Sequence, residues 1–149
     1  MKISLASDHG GFELKEEIKK YISAKNIDVI DLGVNSIESV DYPEFGEKAA
    51  LSVVNGDCDL SIICCGTGIG ISIAANKVKG ARCAVVSDVF SAKMSREHND
   101  ANILALGGRV VGTGLALEIV EAWLSSSFEG GRHSRRVDLI TKIENDNLL

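Results

Sequence analysis

The run Leu60-Ser61-Ile62-Ile63-Cys64-Cys65 is apolar at every position but Ser61, and it stops at Gly66-Thr67-Gly68-Ile69-Gly70. A strand without polar alternation has both faces buried, the pattern of a parallel sheet covered by helices on two sides. The rest of the chain repeats the theme. Ile3, Leu5 and Ala6 form a short apolar strand ending at Ser7-Asp8, and Leu14, Ile18, Tyr21 and Ile22 then share one helical face. Ile27 to Leu32 reads as a second strand closed by Gly33. Pro43 opens a helix carrying Phe45, Ala49 and Val53, which Asn55-Gly56 ends. Beyond the glycine turn the pattern predicts a helix over Ile71 to Val78, a strand over Ala81 to Val86 and a helix from Val89 to about Glu97. A strand over Ile103 to Leu106 and a helix marked by Leu115, Ile119, Ala122 and Trp123 follow. A last short helix carries Leu139, Ile140 and Ile143. Five β-α units predict an α/β fold: a single Rossmann-like three-layer domain over 1–149, with a five-stranded parallel sheet and helices on both faces.

Charge and cysteine usage narrow the function. With 16 basic and 21 acidic residues the net charge is -5, so no global positive field draws in nucleic acid or an anionic membrane. No run approaches the ~18 apolar residues of a membrane helix. Asp8 and His9 arrive too early for the apolar stretch of a signal peptide, and the expected location is cytoplasmic. Of the four cysteines, Cys64 and Cys65 are adjacent, and no CxxC pair or histidine-spaced metal pattern exists. Disulfide scaffolding and structural zinc are poor readings.

Ligands of open parallel sheets bind outside the carboxyl ends of the strands. That rule selects Ser7 to Gly11, the turn after Gly33, Cys65 to Gly70, Ser87-Asp88 and Gly107-Gly108-Arg109. The turn after the third strand is the most informative: a thiol, then three glycines within five residues leading into a helix. Free N–H groups at a helix start favour negative charge, and the same field makes a thiolate available. Strand alternation sends Cys64 and Cys65 in different directions, and Cys65 adjoins the glycines. Common tenants of such a turn are excluded. A GxGxxG fingerprint needs glycine where Ile71 stands, no Gly-Lys-Ser/Thr occurs, and a Cys-x5-Arg loop from Cys65 meets Ile71. Asp8 can cap the next helix, but His9 beside it has no capping role. His98 lies between the fourth helix and fifth strand, and His133 lies in Arg132-His133-Ser134-Arg135-Arg136. Arg132 and Arg136 share a face if that segment is helical. A thiol, an acid, histidines and arginines around a glycine turn suit proton transfer on a small phosphorylated molecule.

Six stretches carry a more specific signal. They are Ser7-Asp8-His9-Gly10-Gly11-Phe12, Asp41-Tyr42-Pro43, Cys65 to Lys77, Ser95-Arg96-Glu97-His98-Asn99-Asp100, Gly107 to Gly112, and Glu129-Gly130-Gly131-Arg132-His133. Through them the chain resembles, end to end, the B-type ribose-5-phosphate isomerases and the related galactose-6-phosphate isomerase subunits. The resemblance implies interconversion of ribose 5-phosphate and ribulose 5-phosphate without metal or other cofactor. Cys65 would be the base, in place of the glutamate some members carry further on, since Ile69-Gly70-Ile71-Ser72 contains none. His98 would open the sugar ring with help from Asp8. Thr67 and the N–H groups of Gly66, Gly68, Ile69 and Gly70 would hold the enediolate, and Asn99 would bind a hydroxyl. Arg109, Arg132 and Arg136 would bind phosphate with His9 nearby, and Tyr42 would line the pocket. The family's dimers imply a homodimer, or a tetramer, in which His98, Asn99 and Arg109 reach into the partner's site. A six-carbon substrate such as allose 6-phosphate or galactose 6-phosphate is the runner-up, and a non-catalytic sugar-phosphate sensor a third reading. The tail from Ile140 to Leu149 is the least constrained.

Overall fold

The computed structural model describes residues 1–147. In chain order its elements are β1 (Lys2–Ser7), α1 (Phe12–Ser23), β2 (Asp28–Asp31), α2 (Tyr42–Val54), β3 (Leu60–Cys65) and α3 (Ile69–Ala75). They continue with β4 (Cys83–Val85), α4 (Val89–Asn99), β5 (Ile103–Gly107), α5 (Thr113–Leu124) and α6 (Arg132–Asp146). The five strands form one parallel sheet in the order β2-β1-β3-β5-β4. β3 is central, and all of its residues are buried, as its unbroken apolar run requires.

Alternation along β3 builds two cores. On one face Ile62 and Cys64 pack with Leu14, Ile18 and Ile22 of α1, Ala92 of α4, and Ile119, Val120 and Trp123 of α5. On the other, Ile63 and Cys65 meet Ala49 and Ala50 of α2 and Ile71 and Ala75 of α3. This gives the expected three layers. Among the described residues no helix is long and apolar enough to cross a membrane.

The boundaries depart from expectation where local hydrogen bonding overrides the pattern. α3 starts at Ile69 rather than Ile71, because Gly68 takes a left-handed φ of 77° and completes the turn by itself. β4 is shorter than Ala81 to Val86: the Ala81 N–H donates back to Val78, and the Arg82 N–H donates to the Asn102 side chain. The last helix is not short. It runs for 15 residues from Arg132 and includes the basic cluster. Of the loosely constrained tail, Ile140 to Asp146 is therefore helical, and positions 148 and 149 lie outside the described residues.

One buried charge network ties α1 to the end of β2. Lys15, fully buried, donates to Asp31 Oδ1 at 2.7 Å and to the Val34 carbonyl at 2.8 Å. Lys19 donates to Asp31 Oδ2 at 2.6 Å, and the Gly33 N–H to Asp31 Oδ1 at 2.9 Å. Burial alone raises the proton affinity of Asp31, but the hydrogen bonds from Lys15, Lys19 and Gly33 outweigh it, so its carboxyl sits below the ordinary aspartate value.

Candidate active site

The turns that leave β1, β3 and β5 meet at backbone distance, which accounts for their glycines. A Cβ on Gly11 would lie 2.3 Å from the Cys64 carbonyl carbon, and one on Gly108 would lie 2.7 Å from the Gly10 oxygen. A Cβ on Gly68 would stand 2.8 Å from the Leu106 carbonyl carbon, and one on Gly107 2.7 Å from Thr67. β1 and β3 are neighbours from which the chain departs toward opposite edges of the sheet. This is a topological switch point, the usual place for a ligand.

Cys65 ends β3 at this point, 4% exposed, and its Sγ accepts the Gly68 N–H at 3.1 Å. Cys64 faces the other core. Burial, with Cys65 adding to it, pushes the Cys64 thiol far above its ordinary value and keeps it protonated. Asp8 is buried beside the turn, and its Oδ1 accepts the Gly11 N–H at 3.1 Å; this braces the turn ahead of α1, whose own cap position is Gly11 with no side-chain cap bond. The exposed Thr67 accepts the Ile69 N–H at its Oγ1, 3.2 Å away. The Tyr42 ring lies against Gly70, 2.6 Å from where a Cβ would stand. His9 Nδ1 accepts the Val40 N–H at 3.2 Å. A cleft of about 360 Å³ opens here, lined by His9, Gly10, Ile37, Gly108 and Arg109 among others. A larger cleft of about 460 Å³ between α1 and the start of α5 shares Glu13 with the first, adds Glu16 and Glu17, and has no basic residue among the described residues that line it.

Arg109 belongs to this group. Its N–H donates to the Gly66 carbonyl at 3.0 Å, and its Nη1 lies 3.3 Å from where a Gly66 Cβ would be. The resemblance groups Arg109 with His98 and Asn99 as residues reaching into a partner. In the fold it lies against its own chain's glycine turn, because β5 delivers Gly107-Gly108 to the same end of the sheet as Cys65.

His98, Asn99, Arg132 and Arg136 lie elsewhere. α4 runs back against the strands, so its last turn reaches their opposite ends. Just beyond it, Asn102 donates its N–H to the Arg82 carbonyl and accepts the Ser61 N–H at the start of β3. Ser61 precedes Cys65 by four strand residues, roughly 13 Å. The Glu129 N–H donates to the Glu97 carbonyl at 3.0 Å and brings the start of α6 to the same place. There the His98 and His133 rings stack, centroids 4.1 Å apart and 9° from parallel. Glu129 Oε2 lies 3.5 Å from His133 Nε2 and 4.0 Å from His98 Nε2. Burial of His133, reinforced by His98 and Arg132 beside it, lowers its proton affinity below the ordinary histidine value. Arg132 and Arg136 are exposed on the first turns of α6. The sequence offers His133 with its neighbouring arginines but gives no role to Glu129. The i, i+4 spacing of Glu129 and His133 was the available signal, hidden by Gly130-Gly131 between them.

The folded chain thus carries two separate groups: a thiol with an acid and a glycine turn at one end of the sheet, histidines with arginines at the other. The Ribose/Galactose Isomerase family profile matches residues 3–140. The chain belongs to this family. Ribose-5-phosphate isomerase B of Escherichia coli (strain K12) is 52% identical over 143 residues, with 96% of each chain covered. Ribose-5-P isomerase B of Listeria innocua is 44% identical over 147 residues, with 99% of each covered. Among solved structures, ribose-5-phosphate isomerase B of Clostridium thermocellum superposes with a TM-score of 0.98 at 57% identity, over 99% of this chain and 100% of that one. Ribose-5-phosphate isomerase B of Mycoplasma genitalium with bound ribulose-5-phosphate gives a TM-score of 0.93 at 42% identity, over 98% and 97% of the two chains. Both groups of residues in this isomerase fall within the matched span.

Proposed function

We propose that this isomerase interconverts ribose 5-phosphate and ribulose 5-phosphate through an enediol, in sites assembled from two copies of the chain. The observation that carries the reading is the Cys65 thiol at the end of β3, with the Gly68 N–H donated to its sulfur. That contact fixes the sulfur at the glycine turn, where the proposed reaction needs a general base.

The steps follow from residue chemistry. His98 takes the proton from the anomeric hydroxyl of the closed sugar as the ring oxygen gains one, with Asp8 assisting, and the ring opens to the aldehyde. Cys65 thiolate removes the proton from C2, and the electron pair moves to O1 as an enediolate. Thr67 and the backbone N–H groups of Gly66, Gly68, Ile69 and Gly70 meet that charge. A proton passes from O2 to O1, and Cys65 returns its proton to C1, giving the ketose. Asn99 holds a hydroxyl, Tyr42 lines the sugar's path, and Arg109, Arg132 and Arg136 with His9 hold phosphate. The base, the acid and the anion-binding groups suffice, so the account needs no metal and no other cofactor.

Two features support assembly from two chains. His98 and Asn99 close α4 at the Ser61 end of β3, and Arg132 and Arg136 stand on the helix whose start Glu129 fastens to α4 there, whereas Cys65 ends the strand roughly 13 Å further along. Around the Cys65 end, Ile69, Val85, Phe90 and Val110 are exposed at 54%, 43%, 72% and 60%. Apolar residues clustered beside a site are the mark of a covered surface. In a two-fold dimer each chain gives its Cys65 group to one site and its His98 group to the other. The soluble phosphate substrate and the expected cytoplasmic location agree.

The test is turnover of purified protein on ribose 5-phosphate, allose 6-phosphate and galactose 6-phosphate, with and without chelator. The account expects kcat/KM at least tenfold higher on the pentose and unchanged by chelator. Preference for a hexose phosphate favours the runner-up, and tight binding without turnover favours a sensor.

A further inference from the structure

His98, Glu129 and His133 each bring a ligand atom to within 4.8 Å of the other two. The carboxylate oxygen is 3.5 Å from His133 Nε2 and 4.0 Å from His98 Nε2. Around a tetrahedral zinc ion with bonds near 2.0–2.2 Å, neighbouring ligand atoms stand about 3.3 Å apart. The Glu129–His133 separation is already close to that value, and the Glu129–His98 separation exceeds it by less than an ångström. The stacked rings send their lone pairs alongside each other. Holding one ion between them requires a ring to turn about its Cβ–Cγ bond so that the lone pairs converge. His133, with 6% of its side chain exposed, is the fixed member, while His98 at 36% and Glu129 at 54% leave the cluster open to solution and able to adjust.

The donor set selects the cation. Two imidazoles and one carboxylate suit zinc and its first-row neighbours, whereas magnesium and calcium require oxygen cages. Arg132 and Arg136 on α6 and Arg96 on α4 oppose any cation electrostatically, which weighs against ions held by charge alone. Glu129 brings a compensating negative charge beside both rings.

We propose that His98, Glu129 and His133 form an inhibitory site for a divalent transition metal of the zinc class, which stops the isomerase by occupying His98. The inhibitory half rests on the role given to His98 above; binding of the metal does not. Occupancy removes the lone pair that ring opening requires and places a cation where the sugar would approach.

Calorimetry with zinc and absorption spectroscopy with cobalt(II), both on the full chain carrying Cys65→Ala, test the site without that thiol. The expected result is one ion per chain, a cobalt spectrum without the near-ultraviolet thiolate charge-transfer band, and affinity at least tenfold weaker with either Glu129→Gln or His133→Asn. Glu129 is half exposed, so Glu129→Gln keeps the question open should His133→Asn fail to fold. In the enzyme with Cys65 intact, zinc should inhibit, and Glu129→Gln should retain turnover while needing at least tenfold more zinc for the same inhibition. No binding up to millimolar metal, or equal binding in the Glu129→Gln protein, overturns the site and leaves the role of His98 standing. Binding at the site without inhibition overturns the inhibitory claim and counts against His98 as the ring-opening residue.

Discussion

Cys64 and Cys65 are consecutive, yet their thiols lie on opposite faces of the sheet, one beneath α1 and the other against α2 and α3. Only Cys65 receives an N–H from the glycine turn. Cys65→Ala should therefore lower kcat by ~10²- to 10⁴-fold with little change in substrate binding, as loss of a general base does. Cys64→Ala should leave kcat within a few-fold and show its effect in stability. Steady-state kinetics of the two variants check this, and a larger kcat loss in Cys64→Ala would contradict it.

Arg132 and Arg136 are exposed, one helical turn apart, on the first turns of α6. Each charge-assisted bond to phosphate contributes about 1.5–3 kcal/mol, so either alanine variant should raise KM for the sugar phosphate by roughly ten- to a hundredfold. Weak turnover of free ribose should change little. Comparison of the two substrates is the measurement, and equal losses on both would point to a folding role.

Asp31 gives the fold an acid-sensitive element. Its folded-state proton affinity is depressed, so the stability it contributes is present above the ordinary aspartate value of 3.8 and is lost as pH falls toward the lower folded value. Asp31→Asn leaves buried Lys15 with Glu16, 3.1 Å away, as its remaining carboxylate partner and is destabilising at neutral pH. Melting curves between pH 3 and 7 should show a lower Tm for Asp31→Asn at neutrality and a gap to wild type that narrows in acid. A gap independent of pH would contradict the assignment.

The layered fold was legible because the central strand is apolar on both faces and each helix shows its buried side at the right period. Leu14, Ile18 and Ile22 lie on one buried stripe of α1 as the spacing requires. What failed to read correctly were elements whose ends are set by hydrogen bonds rather than by burial. Ile69-Gly70 looked like turn because glycine is a poor helix former, but Gly68 alone makes the turn. The first part of α6 carries no apolar signal, because its buried contribution is His133, a residue without apolar character. The residues of the Cys65 group were legible because glycines mark close backbone approach. Residue types alone group His98 with the glycine turn, whereas α4 carries it to the opposite end of the sheet, and its stacking on His133 depends on how α6 packs and has no local signal.

Mixing two inactive variants tests the central claim, that Cys65 of one chain works with His98 of another. Cys65→Ala and His98→Ala chains are unfolded together in equal amounts and refolded, and heterodimers are confirmed by native mass spectrometry. In a shared-site heterodimer one site carries both lesions and the other carries neither. Random pairing makes half the dimers mixed, so the account predicts recovery of about a quarter of wild-type activity by symmetry. If both residues served the same chain, every site would keep one lesion, and a mixture containing heterodimers but no recovered activity would contradict the account.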